Sequence, residues 1–311
     1  MAQRDVIIDA MRRAEPAVAA GADPYAATGL TFAPPNVVTS SQDAHNACVA
    51  ECPHILAALI EKYGVHVNRV VEGTWETLLI ASALSGSTKC IAVLLSHGAD
   101  VNLVAASETG LASPLFAAAE YGHVAVCRQL LEAGANIEFR EFQTTPLHFA
   151  AQFGNVGVVA LLMQRGADTK VMNSDLCTPI MMACGKQQLL CVRALLPHAD
   201  LTHHLKKGSS LLHIAAAQGG PAVLEVVLAR YVEAGLVDIP TGVDASNKTH
   251  TGRTPLMYAC VSAKYAEAKM LLKAGASRYA NDSEGCCPLR YCILGDLAVA
   301  VGHGSKLALH S

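Results

Sequence analysis

The sequence predicts an all-α solenoid, a row of about six to eight stacked helix-turn-helix repeats joined by β-hairpin turns. Three observations predict it. A short string recurs: Thr145-Pro146-Leu147-His148-Phe149-Ala150-Ala151 returns as Thr254-Pro255-Leu256-Met257-Tyr258-Ala259. Variants stand at Ser113-Pro114-Leu115, Thr178-Pro179-Ile180 and Ser210-Leu211-Leu212, with weaker copies at Thr77-Leu78-Leu79 and Cys287-Pro288-Leu289. The second residues fall at 78, 114, 146, 179, 211, 255 and 288, so five of six steps are 32, 33 or 36 residues and one is 44. A period in the low thirties is the mark of a stacked array, which is one extended unit whatever its length. Finally, 52% of the residues are apolar and 16% charged, a composition that folds over most of its length.

Taken in order, residues 1–40 form an N-terminal helix and an irregular arm. Asp5 to Arg13 has helical spacing; Gly21, Gly29, Pro34 and Pro35 mark the arm. Residues 41–70 are a degenerate capping repeat, with a first helix near Ala44 to Glu51 and an exit at Val65-His66-Val67-Asn68. The array proper covers 71–295. In its unit 139–170, Thr145 supplies the hydroxyl of a helix N-cap, and Pro146 fits the first turn, where its missing N–H costs nothing. Leu147, Ala150 and Ala151 share a core face; Gly154 ends the helix; Val158, Val159, Leu161 and Leu162 form the stripe of a second helix that Gly166 closes. The 44-residue step holds a loop insertion of about 11 residues near 231–251. Residues 296–311 are a C-terminal cap and tail, the last few expected to be disordered.

These residues resemble the ankyrin repeat: Thr-Pro-Leu-His, two alanines, a Gly turn, Leu-Leu, Gly-Ala, then a β-turn. The resemblance implies helix pairs stacked in L-shaped units, with β-hairpin fingers at right angles. It implies that His148 and His213, which match the tetrapeptide His, hydrogen-bond neighbouring Thr and backbone groups. Ile80, Phe116, Met181, Met257 and Arg290 depart from it, so their units should rely on packing.

Function classes narrow by exclusion. A net charge of −3 argues against a nucleic-acid or anionic-membrane footprint. The densest basic spot, His203, His204, Lys206 and Lys207, reads as a solvated connection. Eleven Cys without paired spacing suggest free thiols in the cytosol or nucleus. No signal peptide and no run of about 18 apolar residues is visible. Phosphate-cradling, zincin and nucleophile-elbow signatures are missing, so no enzyme and no cofactor are expected.

The family geometry implies a concave face lined by the residue after the tetrapeptide and the two before the helix-ending Gly. That assigns partner binding to Tyr121, Phe149, Gln152, Phe153, Met182, Ile214 and Tyr258, flanked by Ala81, Ala117, Lys186, Gln218 and Ser262. Tyr121 to Tyr258 would form a nearly continuous apolar track, and such patches mark binding sites. Arg140 and Phe142 are candidates at a hairpin tip. The expected partner is another protein or an extended peptide, bound by a monomer. A competing reading makes His45, Cys48 and Cys52, with His54 nearby, a metal- or redox-responsive cluster, since positions 45, 48 and 52 share one helix face. Pro53 would disturb that helix, and small buried Cys is the favoured account. Gly98-Ala99-Asp100-Val101-Asn102 resembles a segment hydroxylated at Asn in some ankyrin proteins; bridging of the turn by the Asn102 amide is favoured over it.

Overall fold

A Ser or Thr followed by Pro or Leu starts nearly every inner helix of this computed structural model. The structure describes residues 2–28, 37–72, 74, 76–107, 110–141, 143–241 and 252–293. Its contacts divide the chain into two units, Met1–Glu141 and Phe142–Ser311.

The first unit opens with α1 (Ala2–Ala19) and α2 (Pro24–Thr28), followed by the pair α3 (Val37–Val49) and α4 (Pro53–Tyr63). Two further pairs follow, α5 (Leu78–Ser85) with α6 (Thr88–Ser96), and α7 (Pro114–Tyr121) with α8 (Val124–Glu132). Between them β1 (Ala105–Ser107) and β2 (Gly110–Ala112) make one antiparallel finger, Ala105 opposite Ala112. Thr77 Oγ1 accepts the Ile80 N–H at 3.2 Å and Ser113 Oγ the Phe116 N–H at 3.2 Å, so each cap satisfies a donor that the helix start leaves open. Inner helices α3, α5 and α7 pack in a row, and outer helices α4, α6 and α8 behind them.

The turns are stitched at one-repeat spacing. Asn68 donates to Gly98 O at 3.2 Å and accepts the Asp100 N–H at 2.8 Å; Asn102 donates to Gly134 O at 3.1 Å and accepts the Asn136 N–H at 2.7 Å. The bridging role expected of Asn102 is therefore present.

The second unit holds α9 (Pro146–Gln152) with α10 (Val156–Gln164), α11 (Pro179–Gly185) with α12 (Leu189–Leu195), and α13 (Leu211–Ile214) with α14 (Gly220–Glu233). Next come α15 (Pro255–Val261) with α16 (Tyr265–Lys273), and a helical turn over 288–293. Leu147, Ala150, Ala151, Val158, Val159 and Leu162 are buried between the rows, as their spacing predicts. The Gly of the helix turn is required twice over. Gly154 has φ +79°, and a Cβ there would stand 2.3 Å from the Gln188 side-chain oxygen. Gln188 is held in place because its amide donates to Gln152 O at 3.3 Å.

Four features depart from the sequence reading. Helix α3 starts earlier and stops at Val49, and Pro53 opens α4 as a first-turn residue instead of disturbing a helix. In the fifth array unit, α13 is followed by a π-helical turn, Ala215–Gly219, and Gly220, at φ +73° and ψ 168°, turns the chain into a 14-residue α14. Part of the 44-residue step is thus helix, and the insertion's base is closed by Thr241 N donating to Arg253 O at 2.8 Å; residues 242–251 lie outside the described residues. Residues 211–233 together are long and apolar enough to cross a membrane, but Gly220 divides them and most of them are buried among neighbouring helices. Finally, Cys260 and Cys292 form a disulfide, whereas nine other cysteines are free.

Candidate partner-binding surface

The buried histidines come first, because they fix the fingers against the helices. His148 Nδ1 accepts the Thr145 N–H at 3.2 Å and lies 3.0 Å from its hydroxyl, while Nε2 donates to Cys177 O at 3.0 Å. His213 repeats this with Ser210 N at 3.1 Å, Ser210 Oγ at 2.8 Å and Arg253 O at 2.8 Å. Burial holds the His213 imidazole down at about 4, so it is neutral at pH 7. Where the His is Met257, Thr254 N donates only to the thioether at 3.4 Å, and the buried Thr254 hydroxyl, which caps the Met257 N–H, has no ring nitrogen beside it.

His45 shares half of this pattern, its Nδ1 being buried without a partner among the described residues. It is 1% exposed, and its Nε2 meets Glu76 Oε2 at 2.9 Å. Glu76 precedes the cap Thr77 as Cys177 precedes Thr178 and Arg253 precedes Thr254. The metal reading of His45, Cys48 and Cys52 is corrected accordingly. Cys52 sits in the junction between α3 and α4, not on a face shared with His45 and Cys48. Burial pushes the Cys48 thiol up and Cys52 up to about 12, which keeps both thiols protonated. His54 is taken by the Glu15 carboxylate at 2.7 Å. Among the described residues, one group of three such donors gathers within 4.8 Å, Asp282, Glu284 and Cys286. Asp282 there is spent on the Glu284 and Cys286 amides and on the Tyr291 hydroxyl; despite burial, these bonds and nearby Arg253 hold its carboxyl below the usual range.

The inner-helix candidates separate into kinds. In the first unit Tyr121 is 60% exposed and stacks on His123, ring centres 6.3 Å apart. In the second, Phe149 is half-buried and Phe153 46% exposed, their rings tilted with centres 5.9 Å apart. Gln152 and Met182 are half-buried, while Lys186, Gln218 and Ser262 are exposed. Ile214 is corrected: it is 9% exposed, packed at the point where α13 widens into the π turn. Tyr258 is engaged, its hydroxyl 3.0 Å from Ser209 Oγ and its ring edge-on to His213 at 5.0 Å. Ala81 and Ala117 are buried. At the finger, Arg140 is exposed, and Phe142 lies outside the described residues.

Sequence reasoning missed exposed apolar residues at the turn between inner and outer helices: Leu190, Val261 and Tyr265. Each lies in the first turn of an outer helix or at the end of an inner one, so the signal was an apolar residue off the core stripe.

Repeated helix pairs with fingers pinned by buried histidines, and exposed side chains at equivalent helix ends, define a repeat-built protein of the kind that acts by surface display. The family description "Ankyrin repeats (3 copies)" matches residues 104–173 and 147–238, and "Ankyrin repeat" matches 75–106 and 251–283. These spans take in well over half of the chain, which therefore belongs to the ankyrin repeat family, whose repeats are generally protein–protein interaction modules. Among curated proteins, the calmodulin-binding transcription activator 2 of Homo sapiens is 39% identical over 85 residues, 27% of this chain and 7% of that protein. Its Mus musculus counterpart is 45% identical over 67 residues, 21% of this chain and 6% of that protein. This chain spans only a small part of the relatives it matches.

Proposed function

We propose that this chain is a non-enzymatic adaptor that binds another protein, as an extended segment or a surface, through its inner helices and fingers. The observation that carries the reading is the Phe149–Phe153 pair. The Phe153 ring packs on Phe149 yet leaves 46% of the residue exposed at a helix end, and such rings dominate interface energetics. A repeat stack presents the pair preformed, which lowers the ordering cost of binding. Tyr121 serves the same purpose in the first unit. The adaptor works as a monomer without a cofactor, in the cytosol or nucleus. Calmodulin binding and transcription activation belong to the names of proteins of which a few per cent match, and they are not carried over.

The test is recovery of partners on the tagged full chain from its native cell. Phe149→Ala/Phe153→Ala and, separately, Tyr121→Glu should each reduce recovery of the main partner at unchanged melting temperature. Equal recovery by folded variants overturns the assignment.

A further inference from the structure

We infer that the inner-helix face of the second unit takes an acidic segment in polyproline II conformation, in which an apolar anchor and a carboxylate stand three residues apart. This rests on the adaptor reading and names the chemistry of its partner.

Phe153, Lys186, Gln218 and Ser262 hold one equivalent position, each seven residues after the first residue of its string, Pro146, Pro179, Leu211 or Pro255. All four are exposed. Across the stretches 146–153, 179–186, 211–218 and 255–262, Lys186 is the sole Lys, Arg, Asp or Glu. The face is otherwise apolar or carries neutral amides and hydroxyls, so its single formal charge is positive. A Lys at a helix end also complements the helix dipole. The equivalent positions carry Phe153, Gln218 and Ser262, so the repeat itself does not call for a cation at this place. Among the described residues Lys186 has no ion pair, and the adjacent Gln187 is spent on Gln218 O at 2.9 Å. The ammonium is therefore the group left to meet a ligand.

Spacing follows from packing. Helices α9 and α11 lie side by side. Packed helices are about 8–10 Å apart, and a polyproline II chain, which returns every third side chain to the same face, rises about 3.1 Å per residue. A residue seated on the Phe149–Phe153 pair thus places the side chain three positions away over Lys186. The recognised pattern is an aromatic or aliphatic residue, two free positions, then Asp or Glu, in either chain direction.

The probe is an array of nine-residue peptides, each with one Phe or Leu and one Asp, Glu, Asn or Gln at spacings of one to six, titrated against the full chain. The acidic members at spacing three should bind best, several-fold tighter than their amide counterparts at low salt. Lys186→Gln should erase that ratio, and Lys186→Glu should shift preference to Lys at the same place. Peptide binding that needs Phe153 but shows no acidic preference, or a preference that survives Lys186→Glu, overturns the inference and leaves the adaptor reading standing. Binding indifferent to both Phe153→Ala and Lys186→Glu overturns the two together. Failure of every peptide to bind, with self-association that Phe153→Ala abolishes, overturns the extended-segment occupant in favour of a second copy of the chain.

Discussion

Position 154 shows how narrowly a single residue can be specified here. Its backbone is left-handed at φ +79°, and its missing side chain leaves room for the Gln188 amide. Gly166, at the far end of the same helix pair, has φ +88° but nothing within 4 Å of an added Cβ. Gly166→Ala should therefore cost about 1 kcal/mol from backbone conformation alone. Gly154→Ala should cost about 2 kcal/mol, because Gln188 must also give up its bond to Gln152 O. Urea unfolding of the two variants compares them directly, and equal losses would refute the steric part. At position 257 the opposite change is expected to help. Met257→His would give Thr254 N and the buried Thr254 hydroxyl a ring nitrogen, as at His148 and His213, and should add about 1 kcal/mol at pH 7. His213 itself makes stability depend on pH. Above about 6.5 both folded and unfolded imidazoles are neutral; below it the unfolded chain binds a proton that the folded site, at about 4, refuses. Stability should fall from pH 6.5 toward pH 4, by about 2 kcal/mol at pH 5, and His213→Gln should flatten that slope.

Among elements, the inner helices were the most legible in sequence. A cap, a Pro and a Leu with two alanines identify them, because each residue does a separate job in the first two turns. Outer helices were readable from paired Leu or Val before Gly. Helix α3 was read less well, since Asp43-Ala44-His45 lacks the Thr-Pro start, and so His45 looked like a metal ligand rather than a ring that ties α3 to Glu76 before the next cap. Burial of Ile214 was not legible either: it follows from the π turn, which depends on how Gly219 and Gly220 fit against Cys184, Val223 and Gln187. Docking of α1 was also hidden: beside the buried Met11, Ala14 and Val18 it uses one carboxylate. Glu15 accepts the N–H groups of His54 at 2.8 Å and Ile55 at 3.1 Å, satisfying the start of α4 from another helix. Glu15→Ala should loosen α1 by about 1–2 kcal/mol, read as faster hydrogen exchange in α1 with α9 to α12 unaffected.

For the whole molecule, the candidate surface was legible as positions but not as exposures. The repeat indicated which residues are equivalent, while local packing decided that Phe153 protrudes and Tyr258 is engaged by Ser209. Cysteine chemistry was legible only in part: burial accounts for the inert thiols, but the pairing of Cys260 with Cys292 has no signature in spacing. Thiol titration of denatured, unreduced protein should find nine thiols, against eleven after reduction. Display of side chains from inner helices remains the central claim, and hydrogen-exchange footprinting of the full chain with its recovered partner tests it most directly. Protection should appear at the ends of α9 and α11 and in the turns that follow them, around Phe153 and Lys186. Protection confined to the outer helices α10, α12 and α14 would contradict the account.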